Sequence, residues 1–111
     1  MAIMAWSEVV AIHNSQSGIS TKGGRVRSVL CNQEKEGYAD EVRSDAIFYR
    51  VTSSTNQFGV ATLQGMVGLT QPIRVFEKLG VNQWRDHGEW FVNAVAEEDS
   101  GYVFLFRRSP P

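Results

Sequence analysis

Short apolar segments separated by polar turns recur along most of this chain. The clearest segments are rich in β-branched and aromatic side chains, and they lie at residues 25–31, 46–52, 71–77, 89–95 and 102–106. Such segments are typical of strands. In the third segment, alternation predicts that Ile73 and Val75 face one side of a sheet. Arg74 and Phe76 then face the other side.

The connections between these segments are less regular. Residues 6–12 are compatible with a strand or a short helix, and their two valines and isoleucine favour a strand. Residues 13–24 predict a long polar loop, and His13 is expected at a surface or at the end of a strand. Residues 58–69 have helical spacing interrupted by glycines, which predicts a short helix or an irregular cover.

The last two segments are joined by the acidic residues 96–101, which predict a turn that closes an antiparallel hairpin. Five or six short strands with little helix indicate a mainly β (α+β) domain. Its strands would form a small barrel or a curved sheet.

Length and composition fit one folded domain over residues 1–111. Apolar residues make up 42% and charged residues 21%, which are ordinary globular values. The formal net charge is −1, so a nucleic acid would have to meet a local basic face. Cys31, the single cysteine, is expected to be buried. Without a signal-like or membrane-length apolar run, we expect an intracellular protein, cytoplasmic in a prokaryote or nuclear in a eukaryote.

Aromatic rings and carboxylates crowd residues 37–52. A flat ring can cover one face of a planar ligand, and a carboxylate can accept hydrogen bonds from a ring-edge amino group, which suits a nucleobase. Half-buried tyrosines in an ordinary loop are the alternative interpretation. The sequence shows no metal-ligand spacing, no nuclease motif and no nucleophile with a credible partner. We therefore predict no metal, no cofactor and no enzymatic activity.

Four motifs follow one another over residues 37–107. The first reads Gly-Tyr-Ala-Asp-Glu-Val at residues 37–42 and is followed by the aromatic strand at 47–52; the others lie at 72–75, 86–92 and 104–107. In order and spacing they resemble the SRA (SET- and RING-associated, or YDG) domains, whose signature is Gly-Tyr-x-Asp-Asp-x. The chain lacks that family's Tyr-Thr-Gly-x-Gly-Gly ending and is shorter before the signature.

This resemblance implies a small PUA-like/SRA-like curved β-barrel of five to six strands, with one short helix or irregular cover. It implies a non-catalytic module that binds double-stranded DNA and flips a methylated or hydroxymethylated cytosine into an aromatic and acidic pocket. Tyr38 would form one stacking wall and Tyr49 the second, with Arg50 in its place if the alignment shifts by one residue. Asp40 or Glu41 would accept hydrogen bonds from the base.

Phosphate contacts are expected from the basic residues Lys22, Arg25, Arg27, Arg43, Arg50 and Arg74. The module would act alone or within a modification-dependent restriction system, with a parent nuclease or another protein as its partner. Two alternatives stay open. One is a protein-interaction module anchored by Trp84, Trp90 and Tyr102, unless Trp90 and Tyr102 are paired core residues of the terminal hairpin. The other is a PUA-like domain with a decayed base pocket that binds RNA or another planar ligand.

Overall fold

The computed structural model describes residues 3–34, 39–52 and 55–111. Two helices and seven strands follow one another in this part of the chain: α1 (Trp6–His13), β1 (Ile19–Lys22), β2 (Arg25–Asn32), β3 (Glu41–Val42), β4 (Ala46–Thr52), α2 (Gln57–Gly65), β5 (Ile73–Gly80), β6 (Gln83–Glu98) and β7 (Gly101–Arg107). The mainly β prediction is confirmed. The short helix predicted after β4 is also confirmed, as α2.

The strands form one sheet in the order β1-β2-β5-β6-β7-β4-β3. Only the β2–β5 pair is parallel among these described strands. The first half of β6 pairs with β5 and its second half with β7, so this long strand connects both halves of the sheet. The predicted β6–β7 hairpin is confirmed. The sheet has seven strands rather than five to six, and within the described residues its edges β1 and β3 do not pair to close a barrel.

Both faces of β5 are covered, as its alternation predicts. Ile73 and Val75 belong to the main core, which α2 covers, whereas Phe76 belongs to a second, smaller core under α1. Arg74 shares the face of Phe76, and its guanidinium carbon lies 5.6 Å from the ring centroid. Cys31 is buried in the main core, as expected.

The strand predicted over residues 6–12 is wrong, because these residues form α1. Val9 is fully buried in the second core. Two hydrogen bonds stabilise the N-terminus of α1: the Glu8 carboxylate accepts one from the Ala5 N–H, at 2.9 Å, and the distant Asn82 side chain accepts one from the Trp6 N–H, at 2.8 Å. These contacts outweigh the β preference of the valines.

The polar segment at residues 13–24 contains the short edge strand β1, and its histidine is buried rather than at the surface. His13 Nε2–H donates to the Ser17 carbonyl oxygen at 2.6 Å, which fixes the tautomer, since a carbonyl only accepts; Nδ1 then accepts from the Ser28 hydroxyl, also at 2.6 Å. Burial lowers the pKa of His13, the Ser17 carbonyl opposes this, and the positive charge of Arg27 adds to it. His13 is therefore a neutral, structural histidine.

Candidate functional site

Asp40, in the predicted base-binding segment, is buried and held in place by backbone hydrogen bonds. It is 1% exposed, and its carboxylate accepts hydrogen bonds from the backbone N–H groups of Asn32 and Arg50, both at 2.8 Å. Its own N–H donates to the Asn32 carbonyl oxygen at 3.2 Å. Asp40 thus connects the end of β2 to β4. A carboxylate has about four lone-pair directions, so a ligand at this site would share oxygens that already hold the backbone.

Glu41 and Arg50 lie next to Asp40 and form an exposed ion-pair network. The Arg50 guanidinium contacts Glu41 at 3.3 Å and Glu98 at 3.3 Å, and it donates to the Ala39 carbonyl oxygen at 3.1 Å. Arg43 contacts the other oxygen of Glu41 at 2.7 Å.

The hydrogen bond from Arg43 is the main cause that lowers the pKa of Glu41, and Arg50 adds to it. Glu41 is therefore an anion at neutral pH. Exposed ion pairs contribute little net free energy, so this network can rearrange around a ligand at low cost.

Tyr49 lies on the opposite side of β4 from Arg50. Its ring is 2% exposed, stacks on Phe106 with a centroid distance of 5.7 Å and belongs to the main core. Its hydroxyl lies 3.4 Å from the Gly18 carbonyl oxygen. Strand alternation places Phe48 and Arg50 on the outer side, so Arg50, not Tyr49, shares a face with Glu41. Tyr38, the other predicted wall, lies outside the described residues.

The predicted phosphate-binding residues fall into two groups. The first, the basic depression, is a hollow of about 660 Å³ at the β1–β2 turn, whose charged lining among the described residues is Lys22, Arg25, Arg27, Arg74 and the single carboxylate Glu89. The second group, Arg43 and Arg50, belongs to the network around Glu41. Along β2, Arg27 precedes Asn32, the partner of Asp40, by five residues, which is about 16 Å of strand.

The four cations of the basic depression differ in how they are paired. Arg74 donates from Nε to Asp86 at 3.1 Å and contacts the same carboxylate through Nη2. This hydrogen bond raises the pKa of Arg74. Burial opposes the ionisation of Asp86, but Arg74 and the Gly88 N–H outweigh it and lower the pKa of Asp86. By contrast, the buried Nε of Arg27 has no hydrogen-bond partner among the described residues.

Two partners of the site were not predicted from the sequence. Asn32 supplies the backbone groups that hold Asp40, and Glu98 at the end of β6 binds Arg50. No local motif marks either residue, because both contacts join segments that are distant in the sequence. Strand pairing of β4 with β7 places Arg50 near the end of the terminal hairpin.

The proposed aromatic anchors of a protein-interaction module pack inside the protein. Trp84 is 8% and Trp90 0% exposed, and Tyr102 packs against the main core. Trp90 is thus a core residue and Tyr102 is partly buried against the core, but the two are not paired, because Trp90 lies opposite Ile73 and Tyr102 lies opposite Glu97. Neither helix in the described part of the chain is long and apolar enough to cross a membrane. The residues described here also include no group of three or more His, Cys, Asp or Glu side chains placed to hold a metal ion.

Comparisons with known proteins agree on the fold. A scan of protein families finds no match to this sequence, and a search of curated proteins finds none either. Among solved structures, the SUVH5 SRA domain in complex with hemimethylated CG DNA matches with a TM-score of 0.73 and 23% identity, over 94% of this chain and 81% of that one. The SUVH5 SRA domain with methylated CHH DNA gives the same score and identity, over 97% and 86%.

A modification-dependent restriction endonuclease, TagI, matches with a TM-score of 0.68 and 19% identity. That match covers 96% of this chain and 48% of the endonuclease. The fold expected from the four sequence motifs is therefore confirmed: the chain has the fold of SRA domains.

Proposed function

We propose that the chain is a non-catalytic DNA-binding module that recognises a modified cytosine, methylated or hydroxymethylated, by flipping it out of the duplex. The observation that carries this proposal is the buried Asp40 carboxylate, with Glu41 and Arg50 beside it, in a fold that SUVH5 presents in complexes with methylated DNA. A flipped base exposes amino and carbonyl groups at its edge. The carboxylates supply acceptors for the first and the guanidinium supplies donors for the second.

Two planar groups are proposed to cover the faces of the base. Tyr38 is the first. For the second, the burial of Tyr49 favours Arg50, because a guanidinium is planar and stacks on bases. Extruding a base costs a few kcal/mol, and stacking contributes about 1–3 kcal/mol per base, so two such surfaces with hydrogen bonds at the edge offset the cost. Tyr49 would then support β4 from the core.

The backbone of the DNA is proposed to contact the basic depression, chiefly through Lys22, Arg25 and Arg27. A local group of cations provides the attraction that the formal net charge of −1 does not. Arg43 would contact a phosphate close to the flipped base, whereas Arg74 is committed to Asp86. The similarity to TagI supports a role within a modification-dependent restriction system, with a parent nuclease as partner, in whichever compartment holds the DNA.

The test is a titration of short duplexes that carry plain, methylated or hydroxymethylated cytosine, together with matched RNA, at low and moderate salt. We expect one modified duplex to bind more tightly than the plain one. Glu41→Gln should reduce this preference about tenfold and leave the affinity for plain DNA unchanged, because one hydrogen bond to a charged acceptor is weakened. Tyr38→Ala should also reduce the preference.

Glu97→Gln is the matched control, since Glu97 is an exposed carboxylate of the same terminal hairpin that carries Glu98. It should bind every duplex as the unchanged protein does. Equal weak binding to all duplexes would contradict a reader of modified bases. A consistent preference for RNA would favour the PUA-like alternative instead.

A further inference from the structure

A second hollow lies at the end of the sheet where β5 finishes and β6 begins. It has a volume of about 460 Å³, and its polar lining includes Gln33, Arg43, Glu77, Arg85, His87 and Arg108. We call it the end cavity. It is separate from the basic depression, because the two share no lining residue and lie at opposite ends of the parallel β2–β5 pair.

Among the described residues that line the end cavity, the single acidic side chain already accepts hydrogen bonds. Glu77 is 4% exposed, and one of its oxygens lies 2.7 Å from Nε2 of His87 while the other contacts the side-chain amide of Gln33. Since a carboxylate only accepts, His87 Nε2–H is the donor. Both oxygens of Glu77 therefore already accept hydrogen bonds within the protein, which leaves this carboxylate poorly placed to bind a cation.

Three guanidinium groups line the end cavity around Glu77, and two of them pack against aromatic rings. Arg108 lies 4.0 Å from the ring centroid of Trp90, and its Nη1 donates to the His87 carbonyl oxygen at 2.6 Å. Arg43 lies 5.1 Å from the ring centroid of Phe48. Arg43 also donates to Glu41, at 2.7 Å. Each guanidinium has five N–H donors, more than these contacts use.

Arg85 is the member of the set that indicates a ligand. Its Nε is buried and has no hydrogen-bond partner in the described part of the chain, although Arg85 is paired in strand register with Glu77. A buried charged donor without a partner is costly and uncommon in proteins. Because Arg85 lines the end cavity, a small movement of its side chain would let an oxygen ligand there supply the missing acceptor.

From this geometry we propose that the end cavity binds a phosphate group, with Arg85 as its central donor and Arg43 and Arg108 as its flanking donors. Three guanidinium groups, one of which also pairs with Glu41, face one hydrogen-bonded carboxylate. Positive charge is therefore in excess and the cavity favours an anion, and the planar guanidinium matches the oxygens of phosphate. The phosphate could belong to a small phosphorylated molecule or to a nucleic-acid backbone. This phosphate site does not depend on recognition of modified cytosine. If the protein showed no preference for modified DNA, the proposal would be unaffected.

The experiment follows the Arg Nε–H signals by NMR while inorganic phosphate is added to the whole chain. We expect the Arg85 signal to move with saturation, and Arg85→Gln to weaken phosphate binding about tenfold. Arg43→Gln should weaken it severalfold, and this exposed position keeps the test independent of folding. Lys78→Gln is the matched control, because Lys78 is an exposed cation of β5 that does not line the end cavity.

Three results would overturn the proposal. In the first, phosphate fails to move the Arg85 signal; in the second, it moves only the Arg27 signal, which would place binding in the basic depression. In the third, Arg85→Gln and Lys78→Gln weaken binding equally. Adding a plain DNA duplex then separates the two sources: a shift of the Arg85 signal with DNA identifies a backbone phosphate, and its absence identifies a small phosphorylated molecule.

Discussion

Charged side chains are concentrated in two regions, the residues around Asp40 (Asp40, Glu41, Arg43, Arg50 and Glu98) and the basic depression. The two regions differ in how fully their charges are paired. Around Asp40, every described carboxylate has a cation or a backbone N–H against it. In the basic depression Arg74 pairs with Asp86 and Glu89 also lines the hollow, but Lys22, Arg25 and Arg27 contribute an excess of positive charge without an ion pair among the described residues.

This difference separates two properties of binding. A balanced cluster attracts no ligand at a distance, but a ligand that enters it must replace defined hydrogen bonds, which favours discrimination. An unbalanced group of cations attracts any polyanion and discriminates poorly. We therefore expect substitutions near Asp40 to change stability or selectivity, and substitutions in the basic depression to change overall affinity.

The largest effect is expected on stability, from Asp40→Asn. The amide keeps the size of the side chain but presents an NH2 group to one of the two backbone N–H donors, so one buried donor loses its acceptor. We expect the free energy of unfolding to fall by about 2–3 kcal/mol. Urea denaturation followed by circular dichroism measures this change.

Glu41→Gln is the matched comparison, one residue further along the chain. Glu41 is largely exposed, so its substitution should leave the denaturation midpoint nearly unchanged. If the two variants are equally stable, Asp40 does not hold the strands together, and the contrast between a structural and a solvated carboxylate fails.

An intermediate effect is expected on DNA affinity, from the double variant Arg25→Gln and Arg27→Gln. Removing two phosphate contacts should weaken binding to plain and modified duplexes alike, by about tenfold at moderate salt. It should also reduce the slope of log affinity against log salt by about 1.8. Fluorescence anisotropy at several salt concentrations gives both quantities.

Arg107→Gln provides the control for this variant, because Arg107 is an exposed cation at the end of β7 and lies outside the basic depression. Its salt slope should match that of the unchanged protein. A loss confined to modified duplexes would instead assign the basic depression to selectivity and would reverse the division between the two regions.

The fold was predictable from the sequence where each strand's own pattern decides its structure. The alternation of Ile73 and Val75 with Arg74 and Phe76 is reproduced in β5, and β4 and the terminal hairpin also follow their patterns. The segment that became α1 was not predictable in this way. Its helix depends on the Asn82 side chain, 76 positions away, and on burial of Val9.

The candidate site shows the same limit at the scale of one residue. The motif predicts the right strand, but Tyr49 and Arg50 are adjacent in it, and a shift of one position exchanges the core face for the outer face. The acidic residues Asp40 and Glu41 were predicted together, yet the sequence does not distinguish a buried carboxylate from an exposed one. That distinction comes from Asn32 and Arg50, whose backbone groups reach Asp40 only in the folded chain.

The smallest expected effect tests the unbalanced charge of the basic depression from inside the protein. The pKa of His13 is lowered by burial and, to a lesser extent, by the charge of Arg27. Between the usual pKa of about 6.5 and the lower value in the folded protein, the unfolded chain binds a proton that the folded chain does not. Stability should therefore be highest above that range and decrease as the pH falls through it, by at most about 1.4 kcal/mol per pH unit.

Arg27→Gln removes the positive charge, so the pKa of His13 should rise. As the pH falls, the loss of stability should begin at the same pH but be complete at a higher pH than in the unchanged protein. An NMR titration of the His13 ring measures the shift directly. Arg43→Gln, which removes a cation already paired with Glu41, should leave the pKa of His13 unchanged. If the two variants shift it equally, the effect on His13 does not come specifically from the charge of the basic depression.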